Sequence, residues 1–502
     1  MLRQNNLLDL TKKKNEGEEY PMNRKAFIFI SFFLVITFLV AAFYLPWNPH
    51  SQNTALYPQK EKPLDQPTAG PVKENKPKNV IFLIGDGMGI GQMEIARLFQ
   101  YGKTGRLFME SLPNVALVHT YSANQPVTDS AAAGTALATG YKTNNEMLGI
   151  TPSKKEVDSI LDKFKKDGKK VGVITTSSIT DATPAAFTAS IANRWTDQRK
   201  IAEEQLNNKV DVLLGGGANK FKRTKPSEID YIQRFKQNGY TIATNRSELA
   251  QAKGDKLLGL FNPNHMNFKI DRDERNSQEP TLTEMTKKGL EFLNRDQAGF
   301  FVMIEGARID HASHSADFTS IWKEVMEFDH AVKYAVNWAK KNGDTLVLVT
   351  ADHETMGVSE TEPIDINNLK RLEVSPTFIA EKLKNGREIK INDIKKVKTI
   401  FKTYANISLS TEEVKDFMDR VNHPKGSVYK DSRLAWEIGS VIADHYHAGI
   451  SRSENRSLSS TGGHTGNPVP LFTYGEGSEQ FKGVLDNVDI PKIIAKIMDY
   501  QL

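Results

Sequence analysis

Six short segments concentrate the side chains able to bind metal ions or handle phosphate. Asp86 lies in Ile84-Gly-Asp-Gly-Met-Gly89, just past an apolar run and between glycines that permit a tight turn. Ser130 follows Asp129 in Thr128-Asp-Ser-Ala-Ala-Ala-Gly-Thr135, a small-residue stretch that reads as the start of a helix. A serine there faces free backbone amides, which favour an alkoxide and a phosphoryl dianion. Thr180-Asp-Ala-Thr-Pro184 supplies Asp181 and the neutral oxygen of Thr183, which suits a hard cation. Arg194, further along, offers a planar fork for two phosphate oxygens. Glu305 closes an apolar run, and Asp310 and His314 beyond it are four apart, so they share one face if that stretch is helical. Asp plus His at that spacing suits zinc. Asp352 and His353 end another apolar run, and His464 sits in the glycine-rich Gly462-Gly-His-Thr-Gly466.

Taken singly, several of these have plainer readings. Asp86 could be a turn residue, and Asp129-Ser130 could be no more than an N-cap. Collectively they ask for more. Ionisable residues that end core strands are costly unless paired or metal-bound. Several carboxylates arriving at one sheet edge repel one another without cations between them. Cysteine is absent, so any transition metal must be held by His, Asp, Glu or hydroxyl oxygen.

The elements that position these residues are legible as alternating runs. Asn79 to Gly85 is continuously apolar and ends in glycine, as a buried parallel strand does. Similar runs recur at Val171–Thr176, Val210–Leu214, Phe300–Ile304 and Thr345–Thr350. Helical patterns separate them at Glu156–Asp167, Thr281–Asn294 and Phe318–Lys341. The alternation predicts an α/β fold: a mostly parallel central sheet flanked by helices on both faces, with the functional groups beyond the carboxyl ends of its strands. From about 360 to 460 the pattern loosens into shorter, charged elements, one opened by the capping box Ser410-Thr-Glu-Glu413, and reads as an insertion near the site.

The chain has 502 residues and a net charge of +5, too little for a nucleic-acid partner, and its lysine run at Lys390–Lys402 reads as a solvated surface. Residues 1–25 form a polar tail, expected in the cytoplasm. Ala26–Leu45 carries no charge and is about the ~20 residues needed to cross a membrane. Arg24 and Lys25 precede it, the orientation that leaves the N-terminus in the cytoplasm. This run is a transmembrane signal anchor or a signal h-region that is cleaved, and Met22 is an alternative start. Residues 46–77 read as a disordered linker and 78–502 as the catalytic domain. The expected placement is extracytoplasmic, anchored to the membrane through the N-terminal helix, or secreted if that helix is removed.

In this order, the motifs GDGMG, VTDSAAAGTA, DATPAA with a following Arg, EGxxIDxxxH, TADHE and GGHTG resemble the alkaline phosphatase family over about Lys78 to Leu502. The resemblance implies hydrolysis of small phosphomonoester substrates through a phosphoserine on Ser130, at a site of two Zn2+ and one Mg2+. It assigns Asp310, His314 and His464 to the first zinc, and Asp86, Asp352 and His353 to the second, with Ser130 facing the latter. Glu305 and Thr183, sharing Asp86, resemble the magnesium site, and Arg194 the phosphate clamp. Asp129 resembles a residue that orients the helix and Arg194. Asp181, beside the magnesium site, and His311, near the phosphate, stand at positions that vary within the family, and both are read as substrate-binding candidates. Dimers are common in the family, which leaves a homodimer open. Two rivals also remain open: a metal-dependent phosphodiesterase, and a tethered phosphate- or metal-binding protein without catalysis.

Overall fold

The computed structural model describes residues 76–502 apart from 197, 296, 385–389, 425–428, 450–455 and 457. The N-terminal tail, the apolar run at 26–45 and nearly all of the linker lie outside the described residues. Among the described residues, no helix is long and apolar enough to cross a membrane.

Twelve strands are assigned among the described residues: β1 (Asn79–Ile84), β2 (Asn114–His119), β3 (Lys170–Ser178), β4 (Val212–Gly216), β5 (Tyr240–Ala243), β6 (Lys256–Leu260), β7 (Phe300–Glu305), β8 (Thr345–Thr350), β9 (Glu354–Thr355), β10 (His464–Thr465), β11 (Val469–Gly475) and β12 (Gly483–Asp486). Ten of them form one sheet in the order β12-β2-β11-β8-β1-β7-β3-β4-β6-β5. Its pairings are parallel except on either side of β11, which runs against both β8 and β2. The expected mostly parallel α/β sheet is what forms, with this one reversed strand.

Every residue of β1, β7 and β8 is buried. A strand covered on both sides must be apolar at every position rather than at alternate ones, which is why these runs stood out. The cover comes from two helix groups. Phe318–Asn342 packs on Ile90–Tyr101 and Leu282–Leu293, and Asp489–Met498 packs on Ser130–Thr139 and Ile160–Lys166. Local signals set several helix ends: Thr281 and Glu284 close a capping box, as do Ser410 and Glu413. The predicted helix at Glu156 starts later, at Ile160, because Ser159 and Asp162 cap each other there. Within 360–460, the helices Pro376–Leu383, Ile394–Ala405, Thr411–Asn422 and Arg433–His445 pack in succession.

Candidate active site

Strand register brings the acids to one level. Ile84 of β1 pairs with Glu305 of β7 on one side and with Thr350 of β8 on the other. Thr175 of β3 also pairs with Glu305. The chain then turns out of β1 into Asp86 and out of β8 into Asp352. Gly87 holds φ +67°, and a Cβ there would sit 2.8 Å from Asp310 Oδ1, so only glycine lets this turn pass so close to the helix Arg308–His314. Its N–H donates to Asp352 Oδ1 at 3.1 Å.

Ser130 opens the helix Ser130–Thr139, and Asp129 is its N-cap, accepting from the Ala132 N–H at 2.9 Å. The other Asp129 oxygen accepts from the Glu146 N–H at 2.9 Å. Gly134 lets this helix lie against the short helix Ala182–Ala186; a Cβ on it would come within 3.1 Å of Ala186 Cβ and 3.3 Å of Thr183 Cα. Ser130 and Thr183 are thereby placed by one contact.

Two carboxylate–imidazole clusters adjoin one another, His353 lying within ligand distance of Asp86 and Asp352 and also of Asp310 and His464. Ser130 Oγ lies 3.1 Å from His353 Nε2. The same nitrogen is 3.4 Å from Asp86 Oδ1 and 3.3 Å from Asp352 Oδ2. In the second cluster, Asp310 approaches His314 Nε2 at 3.2 Å and His464 Nε2 at 3.7 Å, and the two Nε2 atoms are 3.3 Å apart. His314 Nδ1 is 2.9 Å from the Gly462 carbonyl, and His464 Nδ1 is 3.0 Å from that of Thr128. An Nδ1–H donating to a carbonyl leaves the Nε2 lone pair facing the site, the tautomer a metal ligand needs. The Thr355 hydroxyl donates to Asp310 Oδ1 at 2.6 Å and lies 3.2 Å from His353 Nδ1.

Next to the first cluster, Glu305 accepts from the Thr175 hydroxyl through one oxygen. Its other oxygen, Thr183 Oγ1, Asp86 Oδ1 and Asp352 Oδ2 are buried without a hydrogen-bond partner among the described residues. Such orphans cost about 1–3 kcal/mol each in a dry interior, so their gathering fits oxygens that bind cations. Electrostatics agree. Burial, reinforced by Asp352, Asp310 and Glu305, pushes Asp86 well above the usual carboxylate range. Burial lifts Glu305 to about 8, helped by Asp181 and Asp352, and raises Asp352 as well. Asp310 goes the other way: burial opposes ionisation, but His314, His464 and His353 hold it well below its ordinary value. Burial and His353 push His464 well down, towards the neutral form that ligates.

Arg194 donates to Asp181 Oδ1 at 2.7 Å. Burial would raise Asp181, yet the Arg194 guanidinium beside it brings it below the usual range. His311 Nδ1 accepts from Arg308 Nη1 at 2.7 Å, and His265 Nδ1 accepts from the Ser178 N–H at 3.3 Å. The two imidazole rings are 4.7 Å apart, and His265 Nδ1 is 3.5 Å from Asp181. Asp181, His265 and His311 are close enough to form a third ligand group. Their bonding argues otherwise: with Nδ1 accepting, each ring carries its proton on Nε2 and acts as a donor.

The structure thus brings the residues of all six segments into one region, and Asp86, Ser130, Arg194, Asp310, His314 and His464 line an open cavity of about 1180 Å³. His265, which also lines the cavity, belongs to none of the six segments. It reaches the cavity from the loop after β6, a strand too short to stand out, and its one signal is the polar turn Asn262-Pro-Asn-His. Trp195, Tyr429 and Trp436, which also line the cavity, belong to no motif.

An edge of crowded acids and imidazoles, with a guanidinium fork and a serine at a helix N-terminus, has the chemistry of a phosphate-ester hydrolase. Comparison with known proteins narrows that class. The family model described as alkaline phosphatase matches residues 77–500. Alkaline phosphatase 4 of Bacillus subtilis (strain 168) is 35% identical over 436 residues, covering 84% of this chain and 88% of that protein. Alkaline phosphatase 3 of the same strain is 33% identical, covering 85% and 90%. The crystal structure of Thermus thermophilus alkaline phosphatase superposes with a TM-score of 0.75 at 26% identity, covering 86% of this chain and 94% of that one. The chain belongs to the alkaline phosphatase family, and it is a hydrolase of phosphate monoesters.

Proposed function

We propose that this enzyme works through a phosphoserine on Ser130, with two zinc ions and one magnesium ion as resident cofactors. The observation that carries the reading is the 3.1 Å approach of Ser130 Oγ to His353 Nε2, since His353 lies within ligand distance both of Asp86 and Asp352 and of Asp310 and His464. Asp310, His314 and His464 would hold one zinc and Asp86, Asp352 and His353 the other. Glu305 and Thr183, with Asp86, would hold magnesium, and the orphaned oxygens of these three residues support that assignment. A TAB5 alkaline phosphatase mutant, 29% identical with a TM-score of 0.61, has magnesium bound in its M3 site, which supports magnesium here. When bound, such cations supply charge stabilisation to the attacking, nonbridging and leaving oxygens.

The protein's own groups do the rest. The first amides of the Ser130–Thr139 helix favour negative charge on Oγ. Ser130 Oγ attacks phosphorus in line, and the ester O–P bond breaks as the Oγ–P bond forms. Ser130 gives up its hydroxyl proton to solvent as it attacks, and the alcohol departs on the side of His314 and His464 and takes one up from solvent. Water then enters from that side and displaces Oγ, restoring the serine and releasing phosphate. Arg194 holds two nonbridging oxygens, which favours the dianionic monoester over a singly charged diester.

Labelled phosphate trapped on Ser130 after a mildly acidic quench is the direct test. Continued hydrolysis with no label on Ser130 would end the reading. Comparing rates on mono- and bis-nitrophenyl phosphates separates it from a phosphodiesterase. The uncharged run at 26–45 supports an extracytoplasmic enzyme, tethered through that run or released from it, which fractionation of intact cells tests.

A further inference from the structure

One side of the cavity is aromatic, and the hydrolytic steps do not use it. The Arg194 guanidinium lies over the Trp195 ring at 4.5 Å, yet Trp195 remains 49% exposed. Its ring meets that of Tyr429 edge-on, with centroids 5.7 Å apart and planes at 77°. Tyr429 continues onto Trp436 at 5.6 Å. The His314 imidazole lies against both, 5.8 Å from Tyr429 and stacked on Trp436 at 5.4 Å and 19°. Trp436 is 3% exposed and serves as backing. The wall therefore runs without a break from the phosphate fork to the imidazole beside which the leaving alcohol departs.

Three features point to an occupant. A phosphate group fills a small part of about 1180 Å³, so the remaining space belongs to the organic part of the ester. A half-exposed indole leaves a large apolar face in water, a cost that a covering ring removes. Finally, the wall stands on the His314 side, where that organic part must lie if Ser130 attacks from the other. We propose that Trp195 and Tyr429 form a platform for the leaving alcohol and that the preferred substrates are phosphate monoesters whose alcohol carries a planar aromatic ring. The inference rests on the in-line displacement from Ser130 described above.

Phosphonates test the platform without turnover, because they keep the dianionic head and vary only the organic group. Inhibition constants of inorganic phosphate, methylphosphonate and benzylphosphonate would be measured against p-nitrophenyl phosphate for the full-length holoenzyme and for Trp195→Ala, Tyr429→Ala and Tyr429→Phe. Benzylphosphonate should bind about tenfold tighter than methylphosphonate to the unmodified enzyme. Each alanine variant should reduce that ratio by about three- to tenfold, and Tyr429→Phe, which keeps the ring, should preserve it. A variant that merely disturbs Arg194 or His314 weakens both phosphonates alike and leaves the ratio unchanged, which overturns the platform. Should Tyr429→Ala fail to fold, Trp195→Ala decides alone. Loss of inhibition by inorganic phosphate itself in the unmodified enzyme would instead count against the site reading, so the two failures are distinguishable.

Discussion

Arg194 donates to Asp181 at 2.7 Å while its second terminal nitrogen stays 3.9 Å from Asp129, and its Nε is buried without a partner among the described residues. The fork is therefore pulled to one side and keeps spare donors. Arg194→Ala should raise KM for p-nitrophenyl phosphate on the order of 10²-fold, as expected for losing charge-assisted bonds of about 1.5–3 kcal/mol each. Arg194→Lys keeps the charge but not the fork and should recover only part of the loss. Steady-state kinetics read both, and an unchanged KM would show that Arg194 does not touch the substrate.

Thr355 tests the support beneath the clusters. Its hydroxyl donates to Asp310 and lies beside His353 Nδ1. Thr355→Val keeps the shape and removes both interactions. Divalent-cation affinity should fall about 10- to 100-fold, the usual effect of deleting a group that orients a ligand. Titration against a chromophoric chelator measures this independently of turnover.

Gly134 tests how closely Ser130 is placed. An alanine there must push Ala186 or Thr183 away by a few tenths of an ångström, and a valine by more. Because displacements of about 1 Å can cost on the order of 10²-fold in rate, Gly134→Val should lose kcat far more than Gly134→Ala. Both should unfold cooperatively; equal kcat in the two variants would contradict the packing argument.

Protonation of the acids gives a pH signature to the cation-depleted protein. Asp86, Asp352 and Glu305 all have raised values, Glu305 reaching about 8. An acid whose folded value lies above its unfolded value binds more protons folded than unfolded. Its stabilising effect is complete below the ordinary carboxylate range and is lost as pH rises towards the raised value. His464, His265 and His311 are pushed down and act in the opposite sense below their ordinary value of 6.5, so chelated protein should melt at lower temperature as pH rises from about 6.5 to 8. Zinc and magnesium should flatten that decline, because cations satisfy the ionised acids. Thermal scans with and without chelator would refute this if the two curves ran parallel.

Much of the architecture was legible because burial on both faces writes itself into sequence. β1, β7 and β8 are apolar throughout, and each runs into an acid that the register then aligns. The edge that carries β2, β11 and β12 was not legible. β2 alternates in burial, β11 contains Pro470, and their pairing joins segments about 350 residues apart, which no local pattern encodes. At the site, residues at strand ends or in glycine turns could be found because an ionisable group there has no cheaper explanation. Trp436 could not, because an aromatic residue on the amphipathic helix Arg433–His445 reads as ordinary core. Nor could His265, whose place depends on Asp181 and His311 arriving from distant strands.

His464 reaches Asp310 and His314 through the two-residue ribbon in which β10 pairs with β9, and all the helices from Ile366 to His445 intervene between those two short strands. A nascent chain emerging from the ribosome thus exposes its serine, its fork and nearly all its acids long before the last imidazole exists. On the proposed assignment of His464, fragments ending anywhere between Thr355 and His464, whether from stalled translation or proteolytic nicking, lack a ligand and should be inert. Competence comes late in biosynthesis, as a property of the almost finished polypeptide.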